Sequence, residues 1–251
     1  MSASIKEKLE KPDVVLHKKL LNTNGKPSKA FSYLELGMTP VRYLIMEKRL
    51  NFLKYILNQN PESMVKQVYD EQKIHSKKGD FVYQVIKDKY DLKILLEDDE
   101  IEDIPPQQWK KMIKTKIKEK ALTDLVNENK EKSKTKHIIF KELEMSEYLK
   151  ENRNTELTEI IFSLRSGTFD FKEWNPWKYE NNLCVMCELK GESLEHFMEC
   201  SMYGKKNVEV NWHDIYENDT EKQYTIAKEV KKRVKIRTKK EEAGLDSTLA
   251  P

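Results

Sequence analysis

The sequence has few of the residues that interrupt regular structure, since its 251 residues include seven glycines and eight prolines. β-Sandwiches and doubly wound sheets need frequent turns, so this scarcity argues against both. No stretch approaches the roughly 18 consecutive apolar residues that span a bilayer. The polar start MSASIKEKLEKPD has no apolar signal-peptide core. We therefore expect a mostly α, intracellular protein of the nucleus or cytoplasm, with no membrane partner.

Apolar residues and excess charge are also scarce. Hydrophobic residues form 38% of the chain, below the roughly 45% of ordinary soluble domains, which predicts one modest core or two small ones. The 46 Lys and Arg nearly balance the 43 Asp and Glu, giving a net charge of +3. The 8 Phe, 11 Tyr and 4 Trp are too many for a disordered polyampholyte. Total charge therefore identifies no partner.

Composition and helical periodicity divide the chain into four segments. Residues 1–38 are basic and weakly apolar, and we expect a weakly ordered N-terminal segment with one short helix. Residues 39–130 are expected to form a helical unit, and residues 131–240 a second helical unit that contains all three cysteines. The tail over 241–251 is expected to be disordered.

The clearest helix should begin at Thr39, a favourable N-cap, with Pro40 in its first turn, and should end near Asn58. The acidic residues 97–103 predict a loop, after which Pro105-Pro106 opens another helix. Apolar residues recur at helical spacing in both helices. They are Val41, Leu44, Ile45, Phe52, Leu53, Ile56 and Leu57 in the first, and Trp109, Met112, Ile113, Ile117, Ala121, Leu125 and Val126 in the second.

The cysteines Cys184, Cys187 and Cys200 lie in one short stretch, which argues against an extracellular disulfide framework. A CxxC directs two thiols into one site from a tight turn. His196 and Cys200 are four residues apart, so they share one helical face if Ser193 caps a helix there. Three thiolates and one imidazole predict a closed structural Zn²⁺ site, and hence a helical bundle-like unit followed by a small helical zinc-binding (CCHC) unit. Three buried free cysteines beside a surface histidine are the alternative.

Basic and aromatic patches suggest contacts with nucleic acid. From Lys110 to Lys120 there are six lysines and a single glutamate, an aromatic run with interspersed lysines covers 169–179, and the helix over 228–240 is basic. Counterion release and base stacking would be the source of affinity. A solvated helix face and ordinary core packing are the alternatives. The residues predicted to bind nucleic acid are Lys110, Lys111, Lys114, Lys118, Lys172, Trp174, Trp177, Lys178, Lys231, Lys232 and Arg233.

Several phrases together resemble the region that follows the polymerase core in endonuclease–reverse transcriptases of non-LTR retrotransposons. The resemblance covers residues 34–203, and the phrases occur in the same order as in that family. They are LELGMTPVRYLIMEKRLNFLKYIL (34–57), KGDF (78–81), KTKIKEKAL (114–122), KELEM (141–145), FSLR (162–165) and the CxxC with its HxxxC (184–200).

The resemblance implies a C-terminal region that binds template RNA or target DNA and positions it for reverse transcription. Cys184, Cys187, His196 and Cys200 match the family's metal ligands. Arg165 matches a basic residue that precedes them, so the resemblance adds Arg165 to the residues predicted to bind nucleic acid. The spacing departs from the retroviral CxxC-x4-H-x4-C knuckle, so the base-stacking mode of that knuckle is not carried over. Asp98-Asp99 does not match the polymerase metal pair, because it follows Leu-Leu-Glu in an acidic turn.

Three functional hypotheses arise from these features. The first is a non-catalytic, zinc-stabilised module that binds RNA or DNA. The second is a helical protein-interaction module, either domesticated or degenerate, which the near-neutral charge and a pI of 8.4 favour. The third, an enzyme in its own right, has little support, because the histidines form no catalytic pattern and no glycine-rich phosphate loop is present.

Overall fold

The computed structural model describes residues 27–204 and 211–248, and side chains as far as residue 243. These residues form helices and isolated bridges without a β-strand, which confirms the predicted mostly α fold. None of the described helices is long and apolar enough to cross a membrane. The helix pattern predicted before residue 27 lies outside the described residues. The helices are α1 (Lys29–Glu35), α2 (Val41–Leu57), α3 (Met64–His75), α4 (Phe81–Asp91), α5 (Asp98–Asp103), α6 (Pro106–Lys130), α7 (Glu147–Glu151), α8 (Thr155–Arg165), α9 (Leu194–Glu199) and α10 (Thr220–Thr248), with 3-10 turns at Ser201–Tyr203 and Trp212–Tyr216.

The described residues divide into two compact units. Unit 1 comprises Gly37–Asn127 and Phe140–Leu143, and so contains α2 to α5 and most of α6. Unit 2 comprises residues 27–36, Glu128–Ile139 and the chain from Glu144 onward. Two small cores, rather than one large one, match the low apolar content of the sequence.

The core of unit 1 forms between α2 and α6. The Trp109 indole is fully buried and donates a hydrogen bond to the Leu50 carbonyl at 3.2 Å. Ile113, Ile117, Ala121 and Leu125 continue the buried stripe of α6, as the sequence predicts. The first helix differs from its prediction: Pro40, not Thr39, is the N-cap, and Leu44 and Phe52 are 43% and 47% exposed. Leu53, Ile56 and Leu57 are buried as predicted, and α2 also buries Tyr43, Met46, Leu50 and Lys54.

The acidic segment 97–103 is a helix, not the predicted loop. Glu97 and Glu100 form a capping box, in which the Glu97 N–H donates to the Glu100 carboxylate at 2.7 Å. At the other end of α5, the buried Lys54 ammonium donates to the carbonyls of Ile101 and Glu102 at 2.8 and 2.7 Å. Both ends of α5 therefore have partners for backbone groups that a helix of six residues cannot satisfy internally.

Residues 27–36 are part of the core of unit 2, although the sequence predicts weak order there. Phe31 of α1 is fully buried, with its ring centroid 5.7 Å from that of Phe162. The Glu35 carboxylate is also fully buried and accepts from the Arg165 guanidinium at 2.8 and 2.9 Å and from the Tyr148 hydroxyl at 2.7 Å. These partners lie more than 100 residues along the chain, where local sequence patterns cannot reveal them.

The last helix, α10, packs mainly against α8. Tyr224, Ala227 and Val230 are buried at helical spacing, and Arg233 and Arg237 extend the same buried face. The helix continues to Thr248, whereas the sequence predicts a disordered tail from residue 241. A helix of this length can reach both the core of unit 2 and the cysteine cluster.

Candidate metal centre

The CxxC lies in a turn between two short extended segments of unit 2. Leu183 and Gly191 form an antiparallel bridge on either side of it. Within the turn, the Cys184 N–H donates to the Lys190 carbonyl at 2.8 Å, and the Glu188 N–H donates to the Cys184 carbonyl at 2.9 Å. Glu188 adopts a left-handed conformation with φ of +59°. This tight turn directs the Cys184 and Cys187 thiols to the same side.

Helix α9 supplies the other two side chains. The Ser193 hydroxyl accepts from the His196 N–H at 3.1 Å, so Ser193 is the N-cap that the spacing predicts. Cys200 follows one turn after His196, at the C-cap, and its N–H donates to the His196 carbonyl at 2.7 Å. Phe197, which follows His196 in the sequence, is fully buried, whereas Glu195 and Glu199 are exposed. The helix therefore presents His196 and Cys200 to the turn.

The four side chains converge on one point. Their ligand atoms all lie within 4.8 Å of one another, and Cys187 Sγ lies 3.2 Å from His196 Nε2. Around a tetrahedral ion with metal–sulfur and metal–nitrogen bonds of about 2.3 and 2.0 Å, such atoms are roughly 3.5–3.8 Å apart. All three cysteines are free thiols. The group Cys184, Cys187, His196 and Cys200 could therefore hold one metal ion.

The thiols differ in their acidity. The backbone N–H of Leu189 hydrogen-bonds to the sulfur of Cys187 and is the main reason that the pKa of this thiol falls to about 6. Burial instead raises the pKa of Cys200 to about 11. A metal ion binds thiolates, so it would have to displace the proton from Cys200 at neutral pH.

Three cations of α10 bind groups around this cluster, two of them backbone carbonyls and one a buried carboxylate. The Arg233 guanidinium donates to the carbonyls of Phe197 and Cys200 at 2.8 and 3.3 Å, where α9 ends. The Lys240 ammonium donates to the carbonyls of Val185 and Met186, between the two CxxC thiols, at 2.6 and 3.0 Å. We call the set Arg233, Arg237 and Lys240 the α10 clasp.

Arg237, the middle residue of the clasp, forms a buried ion pair. Its guanidinium lies 2.9 Å from the carboxylate of Glu192, which is fully buried immediately before Ser193. Burial raises the pKa of Glu192, and the positive charge of Arg237 opposes that rise. The clasp residues are spaced by four and three positions, so they lie on one face of α10. The loop and helix that carry the metal ligands are thus both attached to α10.

Two arginines predicted to bind nucleic acid are therefore internal. Arg165 is fully buried against Glu35, and Arg233 is 1% exposed at the end of α9. Their side chains satisfy buried carbonyl and carboxylate oxygens, which makes them unable to reach a nucleic acid in this fold. The predictions for Arg165 and Arg233 are wrong for the same reason, because a guanidinium can donate hydrogen bonds to several buried oxygens at once.

Several other predicted contact residues are already engaged. Lys178 pairs with Asp170 at 2.6 Å, and Lys231 pairs with Glu156. The Lys172 ammonium lies 5.7 Å from the centroid of the Tyr179 ring. Trp174 is partly buried, with its ring edge-on to Phe171 at 4.9 Å, which is the core-packing alternative.

The remaining predicted contact residues are exposed. Lys232 of α10 lies 3.9 Å from Glu229. Trp177 is 79% exposed. On α6, four exposed lysines have no carboxylate within 4 Å among the described residues; these, which we call the α6 lysine face, are Lys110, Lys111, Lys114 and Lys118.

Sequence reasoning does not single out Glu192, Arg237 or Lys240. If the charge of the segment is considered without the position of each residue on the helix, Arg237 and Lys240 are assigned to a basic surface. The signal that could have found the buried face is periodicity, since Val230, Arg233 and Arg237 continue the spacing of the buried stripe of α10.

Comparisons with known proteins identify no relative. No family model matches the chain, and no match is found among curated proteins or solved structures. The resemblance to retrotransposon reverse transcriptases therefore remains a prediction based on the sequence, and the function has to be inferred from the geometry of the sites.

Proposed function

We propose that the chain is a non-catalytic, zinc-stabilised module that binds RNA or DNA, in the role that its resemblance to non-LTR retrotransposon reverse transcriptases implies. The observation that carries this proposal is the α6 lysine face. Lysines without acidic partners keep their counterions until a polyanion displaces them, and that release favours binding of nucleic acid.

The spacing of the α6 lysine face suits a phosphate backbone. Lys110, Lys114 and Lys118 are spaced four residues apart, and with a rise of 1.5 Å per residue they form a row about 12 Å long. One nucleic-acid strand carries a phosphate about every 3.4 Å along the helix axis. The row therefore spans several phosphates, and Lys111 lies beside its first member.

Zinc is the metal that best fits the cluster. Three thiolates and one imidazole form a closed tetrahedral set, which is typical of structural zinc and offers no open position for a reacting water. Structural zinc sites contribute on the order of 10 kcal/mol to the folding of their segment. Zinc would thus stabilise the short segment from Cys184 to Cys200, which has only the two-residue bridge and the six-residue α9 as regular structure.

Salt-dependent binding tests the nucleic-acid proposal. The zinc-loaded chain is titrated with a single-stranded RNA and a duplex over a range of salt concentrations. The slope of log K against log salt is negative, and replacing the four lysines of the α6 lysine face with Gln should reduce its magnitude by roughly 3 to 4, because each phosphate contact contributes about 0.7 to 0.9. A matched control in unit 1 replaces four other exposed lysines, Lys77, Lys78, Lys87 and Lys93, with Gln.

We expect the control to retain most of the slope. Absence of binding at micromolar protein, or equal losses in both quadruple variants, contradicts the proposal. The metal is tested separately: purified protein should contain one zinc per chain, and Cys187→Ser should lose it. Protein that carries no stoichiometric zinc contradicts that part alone.

An exposed apolar surface on unit 1 supports the second candidate, a domesticated or degenerate protein-interaction module. Phe52 of α2 is stacked on Tyr55 with ring centroids 5.7 Å apart, and both rings are about half exposed. Met64 and Val68 of α3 and Ile86 of α4 are also exposed. Pull-down with and without nuclease distinguishes the two functions, because partners held by nucleic acid are released by the nuclease.

A further inference from the structure

Unit 2 contains an open groove of about 1070 Å³ that the metal centre does not use. Its walls come from the start of α1, from residues 128–135, from residues 166–170 and from residues 175–178. Four lysines and three acidic residues line it, so the groove is only weakly positive. They are Lys29, Lys132, Lys134 and Lys178, with Glu128, Glu131 and Asp170.

One of these lysines is held in a defined position. The Lys134 ammonium donates to the carbonyls of Gly167 and Trp174, both at 3.0 Å. Its aliphatic stem lies against Gly167, where φ is +66° and an added Cβ would come within 2.7 Å of the lysine side chain. The ammonium consequently lies 5.9 and 6.0 Å from the ring centroids of Trp177 and Trp174.

Trp177 differs from Trp109 and Trp174 in its exposure. Trp109 is fully buried and Trp174 partly buried, but Trp177 is 79% exposed. An indole on the surface leaves a large flat apolar area in water, which folding alone does not favour. Trp177 lies beside the fixed ammonium, and exposed Lys132 lines the same groove. An aromatic ring next to a cation is the arrangement that binds an unpaired base and its phosphate.

We propose that this groove binds unpaired nucleotides of a single-stranded nucleic acid, with Trp177 stacking on a base and Lys132 contacting the adjacent phosphate. The proposal rests on the proposed function and specifies it further, since it makes the module selective for single strands. A base pair inside a duplex has both faces covered by its neighbours, so it cannot stack on Trp177. The volume of the groove is enough for a base with its sugar and phosphate.

Stacking, rather than charge, should dominate the affinity of this groove. Glu128 and Glu131 offset its lysines, and Lys178 is already paired with Asp170. Trp177→Ala should therefore weaken single-strand binding by about 5- to 150-fold. The salt slope, which counts phosphate contacts, should remain unchanged. The quadruple lysine variant of α6 should instead reduce the salt slope, because it removes phosphate contacts.

The experiment uses the zinc-loaded full chain, a 12-nucleotide uridine RNA and a blunt RNA duplex of similar length, with affinity measured at two salt concentrations. Trp177→Ala should weaken binding of the single strand only, and Trp177→Phe should restore most of it. The matched control is Tyr90→Ala, because Tyr90 is an aromatic of unit 1 with a similar exposure of 82%. It should bind both ligands as the unsubstituted chain does.

Three results would overturn the inference. Equal losses for Trp177→Ala and Tyr90→Ala, equal effects on single strand and duplex, or an effect of Trp177→Ala on protein pull-down alone each exclude a base-stacking groove. In those cases binding through the α6 lysine face, and with it the proposed function, can still stand. Failure of the unsubstituted chain to bind either RNA overturns both proposals.

Discussion

Replacement of Arg165 by Met tests whether this arginine is structural or binds nucleic acid. In the structure both Arg165 and Glu35 have fully buried side chains. The guanidinium also donates to the carbonyls of Ile215 and Glu217 at 2.8 and 3.1 Å. Met keeps much of the aliphatic volume but leaves the Glu35 carboxylate and both carbonyls without this donor.

The expected cost is about 3–5 kcal/mol of the free energy of unfolding, which is typical when one member of a buried ion pair is removed. That is a large part of the roughly 5–15 kcal/mol that usually stabilises a folded domain. Most of this cost comes from the unpaired charge left on Glu35. The double variant Glu35→Gln/Arg165→Met should therefore recover a substantial fraction of the lost free energy of unfolding. Gln retains an oxygen that can accept from the Tyr148 hydroxyl, which now donates to Glu35.

Urea unfolding followed by tryptophan fluorescence measures this cost, since Trp174, Trp177 and Trp212 all belong to unit 2. Lys114→Met is the matched control: it removes an exposed cation and should change stability by less than about 0.5 kcal/mol while reducing the salt slope of RNA binding. If Arg165→Met instead resembles Lys114→Met in both measurements, the buried-pair interpretation is refuted. Additive effects of the two single substitutions at Glu35 and Arg165 would refute it as well.

Two further predictions concern the α10 clasp and the core of unit 1. Lys240→Met should weaken metal binding about tenfold, because groups around a metal site that orient its ligands typically contribute about 10- to 100-fold to affinity. Competition with a chelator measures the affinity. Substitution of the exposed neighbour, Lys239→Met, should have no effect. Burial and the hydrogen bond that Tyr43 donates to Asp124 at 2.6 Å raise the pKa of Tyr43 above its ordinary value. The folded chain therefore keeps a proton that the unfolded chain loses above pH about 10, so the free energy of unfolding of unit 1 should fall as pH rises beyond that value. In alkaline urea titrations, the free energy of unfolding of the Tyr43→Phe variant should fall less steeply. Equal alkaline slopes would show that Tyr43 is not the group responsible.

The parts of the fold that sequence predicts well are those set by local spacing. The buried stripe of α6 follows from apolar residues three and four apart, and the convergence of Cys184, Cys187, His196 and Cys200 follows from a tight turn and a Ser193-capped helix. In each case residues close in the sequence determine the geometry. The buried face of α2 is predicted less well, because Tyr43 and Phe52 are both aromatic and periodicity alone does not decide which is buried.

The parts that sequence does not predict depend on distant partners. Helix α1 has only seven residues, and its burial depends on Phe162, Tyr148 and Arg165, which are far along the chain. The acidic run 97–103 contains three Asp residues, which have low helix propensity, but its capping box and the buried Lys54 stabilise α5. Long-range hydrogen bonds override local preference in both segments.

The different uses of arginine and lysine bear on what the proposed nucleic-acid-binding module would recognise. All six arginines of the sequence lie among the described residues, and each contacts a carboxylate, a carbonyl or an aromatic ring of this chain. The lysines of the α6 lysine face are exposed point charges. Arginine reads guanine through two parallel hydrogen bonds, whereas lysine binds phosphate with little geometric demand. Because the arginines are engaged internally, we expect binding to be tolerant of nucleotide sequence, with selectivity coming from strand structure at Trp177. The internal partners are the Tyr43 ring for Arg42, Asp88 for Arg49, Glu151 and Glu221 for Arg153, Glu35 for Arg165, Glu229 for Arg233 and Glu192 for Arg237.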